Sequence, residues 1–390
     1  KGCSGLSGQL LIPDSVERID YSSFYDCSGF TGTLTIPKMA RTIESNAFCG
    51  CSGFSGSLTI PSLVSYIGTD AFRGCSGFDG TLNISESVRS IESGAFQGCS
   101  GFKGSLIIPD TVKNIEKEAF SGCSGFSGTL SIPEKATVIS FCLFYKCSGF
   151  KGALKIPSSV VSIQERAFYG CIGFSGTLNI PNTTISIDEG AFMGCQGLDG
   201  SLLIPLSMTK INDFLFNGCS HLAGNLKIPS SITSIGKHAF SGCSSFTGDL
   251  IIPDNVTNVG FSSFSNCSGF NGLLKISSSI KTIQNDTFYG CSKLNGELNI
   301  PLNVTFIGSG SFFGCCNFEG ELIVPDSVTF IGSFAFSFCQ GFSALKLSDN
   351  IECIEENAFS HCYGLCGSLL IPQSTRLIGK KCFYNCLKFD

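Results

Sequence analysis

Apolar residues return along this chain with a period of 24, and they return in columns. With one cysteine counted as position 1, a unit reads C-S-G-F-x-G-x-L-x-I-P-x-x-V-x-x-I-x-x-x-A-F-x-G. Position 8 is leucine in all 16 complete units, from Leu10 to Leu369, and position 22 is phenylalanine in all 16, from Phe24 to Phe383. Position 17 is isoleucine except at Val259, and all 13 prolines stand at position 11. The alternating L-x-I at positions 8 and 10 predicts a short strand, preceded by a glycine turn and closed by a proline that has no N–H to donate. The V-x-x-I at positions 14 and 17 predicts a second, shorter extended piece. The A-F-x-G-C run is too short for a stable helix and predicts one helical or 3₁₀ turn. Columns of this regularity are the pattern of a solenoid, each unit one coil stacked on the last. The fold expected is about 16 coils of 24 residues sharing one long parallel β-sheet, with short helical or 3₁₀ turns on the other side.

The cysteine column explains most of the 23 cysteines. It runs from Cys3 to Cys386 at intervals of 24, with one interval of 23 where Ser343-Ala344-Leu345 replaces the usual four residues. Stacking puts position 1 inside the coil beside the phenylalanines of positions 4 and 22, and free cysteine is among the most buried residue types. Stacked neighbours carry parallel Cβ vectors about 4.8 Å apart, outside the usual disulfide range of about 3.5–4.5 Å. An odd column of 17 also cannot pair completely. The expectation is a reduced structural ladder flanked by two phenylalanine stacks, with leucine at position 4 in five units.

The motif L-x-I-P-x-x-V-x-x-I-G-x-x-A-F-x-G-C, nearly intact in Leu58–Cys75 and Leu226–Cys243, resembles the BspA-like leucine-rich repeat family. The resemblance covers essentially the whole chain, and the C-S-G-F-x-G insert before the strand is most similar to the protist versions. It implies a leucine-rich-repeat right-handed superhelix and a single continuous array over residues 1–390, with an irregular 23-residue unit at 339–361. Members from mucosal bacteria and parasitic protists are often cell-surface proteins that bind host matrix components or other cells. The resemblance therefore implies an adhesion or interaction role. The family defines no catalytic residues, and none are carried over.

Composition narrows the function classes further. A formal charge of −5 with 14% charged residues gives no electrostatic reason to expect nucleic acid, and no apolar run is long enough to cross a bilayer. Both ends fall inside a repeat, so a longer chain is expected. Capping segments would then lie outside it, or coils of neighbouring molecules would stack end to end. The three histidines are scattered: His221 at a turn glycine, His238 at a variable position and His361 before a ladder cysteine. None is accompanied by a nucleophile pattern, so no enzyme, cofactor or catalytic residue is expected.

Cys362, Cys366, Cys382 and Cys386 form C-x₃-C twice, near structural zinc spacing. Register accounts for all but Cys366, so incidental cysteines are the expectation and zinc the alternative. Cys49, Cys142, Cys316 and Cys353 show no metal spacing. Six N-x-[ST] sequons, at Asn83, Asn182, Asn255, Asn266, Asn285 and Asn303, permit secretion.

What varies on a fixed repeat is where solenoids bind partners. Position 7 is mostly Ser, Thr, Asn or acidic. Position 9 mixes Thr and Asn with aliphatic and lysine residues. The candidate partner face is Leu11, Ile107, Lys155, Leu203, Lys227, Ile251, Lys275, Ile323 and Lys346, with Leu370 at the same position. The partner expected is a protein: host or matrix, another cell, or a structural assembly. Surface location is the first reading; a cytoplasmic or cytoskeletal scaffold, which suits reduced thiols, is the alternative.

Overall fold

A computed structural model describes residues 5–389. Cys3, the first of the cysteine column, lies outside the described residues. The chain divides into two compact units, Lys1–Leu198 and Asp199–Asp390.

In the first unit the best-developed ladder forms at positions 16 and 17. Five parallel two-residue strands stack there in the order Arg18–Ile19, Thr42–Ile43, Tyr66–Ile67, Ser90–Ile91 and Asn114–Ile115. Register is one period, so that Ile43 lies beside Ile67 and Ile67 beside Ile91. The L-x-I segments pair more briefly, as Leu58–Thr59 with Leu82–Asn83 and Leu106–Ile107 with Leu130–Ser131.

The second unit repeats the plan. Its five-stranded ladder runs from Thr282–Ile283 to Leu377–Ile378, and Leu250–Ile251 pairs with Leu274–Lys275 on the L-x-I side. The short unit is absorbed without losing register: Glu321, Leu322 and Ile323 pair with Ala344, Leu345 and Lys346, 23 residues on. The missing residue is removed from the turn before the strand, so every inward side chain keeps its column.

The A-F-x-G-C segments are stacked turns, and no α- or 3₁₀-helix forms among the described residues. Their N–H groups alternate between two kinds of acceptor. Asp70, Phe72 and Gly74 donate to the next coil, at Ser93, Ala95 and Gln97, over 2.9, 2.7 and 2.7 Å. Ala71, Arg73 and Cys75 close three-residue turns within their own coil. A left-handed residue at each end of the segment, Asp70 at φ 54° and Gly74 at φ 73°, produces the alternation and prevents a continuous helix.

The interior is built from columns. Successive position-22 rings stack face to face, as Phe72 on Phe96 at 5.3 Å and 3° and Phe264 on Phe288 at 5.9 Å and 8°. Edge contacts tie this stack to the position-4 rings, for example Phe48 to Phe54 at 6.3 Å and 74°. These rings are fully buried, and each contributes roughly 1.5–3 kcal/mol of transfer free energy.

Ladder cysteines from Cys27 to Cys362 are buried and unbridged. Their role is more polar than the pattern of apolar columns suggests. From Cys51 to Cys195 and from Cys243 to Cys362 each thiol donates to the carbonyl of the position-22 phenylalanine one coil back, whereas Cys27 at the first described coil reaches the Tyr25 oxygen at 3.7 Å. Cys75 reaches the Phe48 oxygen at 3.0 Å, Cys99 that of Phe72 at 3.0 Å, and Cys315 that of Phe288 at 3.2 Å. Cysteine thus fits a site that demands a small apolar body and one weak donor. Burial pushes the thiols of Cys51, Cys147 and Cys291 up to about 12 from an ordinary 9.0. It holds those of Cys75, Cys99 and Cys123 well above that ordinary value too. They are protonated at neutral pH and are poor nucleophiles.

Candidate protein-binding face

Leucine at position 8 and isoleucine at position 10 point inward, and pleating therefore turns position 9 outward. In the first unit this exposes Leu11, Ile107 and Lys155, with Ile107 63% accessible. In the second it exposes Leu203, Lys227, Ile251, Lys275, Ile323, Lys346 and Leu370, with Leu203 52% accessible. Strand pairing sets Ile251 beside Lys275. Aliphatic and cationic residues thus adjoin in successive coils of the second unit.

Flanking positions decide the character of the face. In the first unit position 7 carries hydroxyls that bridge coils: Thr81 donates through both N–H and Oγ1 to Ser57, at 2.9 and 3.1 Å. The Ser105 and Thr129 hydroxyls lie 3.1 Å apart. In the second unit position 7 carries Asp249, Leu273, Glu297 and Glu321 in four successive coils. A groove of about 890 Å³ opens there, lined among others by Leu273, Lys275, Glu297, Asn299 and Leu302. Within it Lys275 Nζ lies 3.1 Å from Asp254 Oδ2, and Asp254 Oδ1 accepts the Ser278 N–H at 2.9 Å. These contacts hold the Asp254 carboxyl below the usual range, the backbone donor first and the Lys275 ammonium second. Sequence reading of position 9 found Lys275 and missed Leu273, Asn299 and Leu302. The available signal was a leucine at positions 7 and 12, where polar or small residues are the rule.

The other candidate groups fall elsewhere. His221 lies beside the Ser220 hydroxyl at 3.3 Å, His238 stacks on Phe214 at 4.9 Å, and His361 stacks on Phe338 at 4.4 Å. Desolvation, with the Lys237 charge second, pushes the His238 imidazole below its ordinary value. The four cysteines with zinc-like spacing keep separate acceptors: Cys362 bonds to the Phe336 oxygen, Cys366 to that of Ser343 and Cys386 to that of Phe359. Cys382 is buried. Among the described residues no three His, Cys, Asp or Glu side chains gather as they would around a metal, and no helix is long and apolar enough to cross a membrane. All six sequon asparagines are exposed, Asn83 on the position-9 face and the others on turns or flanks.

Comparison with known proteins agrees with this architecture. The profile of the BspA type leucine rich repeat region, in 6 copies, matches residues 2–127, 79–199, 137–271, 209–321 and 271–390. A leucine-rich repeat protein from Bacteroides ovatus is 26% identical, with a TM-score of 0.55 over 95% of this chain and 80% of that one. A leucine rich cell surface protein from Faecalibacterium prausnitzii is also 26% identical, with a TM-score of 0.54 over 82% of this chain and 87% of that one. No match was found among curated proteins.

Proposed function

The chain belongs to the BspA-type leucine-rich repeat family, and from that premise we propose that it is a non-enzymatic interaction protein. Its coils present an extended protein-binding surface, and it acts at the cell surface. The observation that carries this reading is the position-9 column, exposed in every coil between more deeply packed neighbours and variable where they are nearly fixed. A rigid scaffold with one variable outward column can change its ligand without changing its core. The cell-surface protein from Faecalibacterium prausnitzii supports the location. The partner is a protein of a matrix, of another cell or of a structural assembly.

One observation favours a second reading. The buried ladder thiols are unbridged, and reduced cysteines in this number suit a cytoplasmic scaffold, since oxidising compartments favour disulfides. Burial protects the same thiols in either compartment, so fractionation separates the two readings.

The test is binding of the purified chain to epithelial cells and to immobilised collagen, laminin and fibronectin. Saturable binding to at least one is expected, weakened at least tenfold by Ile251→Glu with Ile323→Glu. Binding no better than to albumin, or binding indifferent to both substitutions, would contradict the reading.

A further inference from the structure

Two departures from the repeat, Leu273 and Leu302, line the groove of the second unit, and a third, Ser277, is buried beside it. Position 7 is small or polar in every other complete coil, and at Leu273 it is a large aliphatic side chain, 55% accessible. Position 12 is apolar only at Leu206 and Leu302, and Leu302 is 82% accessible. Asn299 takes position 9 between them, where the neighbouring coils hold lysine and isoleucine. Ser277 replaces the strand-ending proline, its buried hydroxyl donating to the Val256 oxygen at 2.6 Å. The result is a groove of about 890 Å³ with two exposed leucines on its walls and a carboxamide on its floor. An apolar lining with a few oriented polar groups is the usual form of a recognition pocket.

Charge decides what the groove accepts. Its lysine is already satisfied, because Lys275 is paired with Asp254. Glu297 has no ion pair among the described residues, nor have Asp249 and Glu321 in the same position-7 column. Coils are spaced by about 4.8 Å, so these three carboxylates stand within roughly 15 Å of one another around Leu273. Like charges at that spacing repel, and a cationic partner relieves the repulsion.

We propose that this groove is the docking site for a cationic, apolar segment of a partner protein, one aliphatic side chain lodging between Leu273 and Leu302 and an arginine or lysine pairing with Glu297. An arginine stem lies readily along exposed leucine while its head reaches a carboxylate. The assignment deepens the protein-binding reading and rests on it. It also reverses the polarity that the lysines of position 9 suggest by themselves.

The experiment uses the purified full chain and two labelled peptides, one alternating arginine and leucine, the other glutamate and leucine, read by fluorescence anisotropy at about physiological salt. The arginine–leucine peptide is expected to bind saturably, and the glutamate–leucine peptide at least tenfold more weakly. Glu297→Lys and Leu302→Asp should each weaken the first by tenfold or more. Glu86→Lys, an equally exposed carboxylate of the first unit, should change it less than twofold. Unchanged thermal melts establish that the variants fold. No saturable binding of the arginine–leucine peptide, equal binding of both peptides, or equal effects of Glu86→Lys and Glu297→Lys would overturn the assignment. If the groove fails while binding to cells or matrix proteins persists, only the groove is lost; if both fail, the protein-binding reading goes with it.

Discussion

The two units are built alike inside and differ in what they show to solvent. Inside, Phe96 of the first unit and Phe264 of the second sit in the same stack geometry, 5.3 Å from Phe72 and 5.3 Å from Phe240. Cys99 and Cys291 bond to their phenylalanine carbonyls at 3.0 and 3.1 Å. Outside, the first unit lays Ser57, Thr81, Ser105 and Thr129 along position 7, hydroxyls that satisfy one another between coils. The second unit lays Asp249, Leu273, Glu297 and Glu321 along the same line, with Leu302 across a groove. Cohesion therefore resides in columns that both units need. The outward positions contribute little to folding and so are free to differ.

The largest effect that tests this division is alkaline unfolding. Burial raises buried ladder thiols such as Cys51, Cys147 and Cys291 in the folded state, while the unfolded chain ionises near the ordinary 9.0. Below that value both states are protonated and the ladder adds no pH dependence. Above it the unfolded state releases protons that the folded state retains, so stability falls as pH rises from about 9 toward the folded values near 12. Each thiol costs about 1.4 kcal/mol per pH unit in that window. Denaturant titrations at pH 8, 9 and 10, with hydrogen exchange followed in each unit, should show both losing stability together and steeply. A flat profile, or loss confined to one unit, would break the equivalence of the two interiors.

Ring deletion comes next. Phe96→Ala and Phe264→Ala should each cost about 3–5 kcal/mol in chemical denaturation, since each leaves a ring-sized gap in a dry stack. A difference of more than a factor of two would show that one interior is packed less tightly.

The smallest effect sharpens the comparison. Ser263 and Ser311 of the second unit stand at position 21, where alanine is the rule, and their buried hydroxyls find no partner. Ser263→Ala and Ser311→Ala should each raise stability by about 1 kcal/mol, and Ala95→Ser in the first unit should lower it by a similar amount. A loss on removing either hydroxyl would mean that it is satisfied by an ordered water.

The columns were legible because identical residues recur at one spacing, and Leu58, Phe72 and Cys75 declare their orientation by repetition alone. The turn geometry was not. Left-handed backbone occurs at Asp70, Arg166, Phe214 and His238, residue types with no common preference for it. It is imposed by hydrogen bonds to the next coil, which no single unit contains. Nor does composition reveal that the ladder thiols are donors, since a buried cysteine reads as a small hydrophobe until its carbonyl partner is placed. The groove lay between these cases: Leu273 and Leu302 are visible departures in the sequence, but one stands at position 7 and the other at position 12 of the following coil. Only stacking brings them to one site.

The columns hold together only if the ladder thiols stay dry and reduced inside the coils. Mass spectrometry after iodoacetamide treatment at pH 8, without reductant, tests this directly when run on the native and on the guanidinium-unfolded chain. Native labelling is expected only at exposed or half-buried cysteines such as Cys366, Cys316 and Cys386, and labelling of nearly every buried ladder cysteine from Cys27 to Cys362 only once the chain is unfolded. Buried ladder cysteines that react in the native protein, or that stay unlabelled after unfolding because they are oxidised, would contradict a dry, reduced interior.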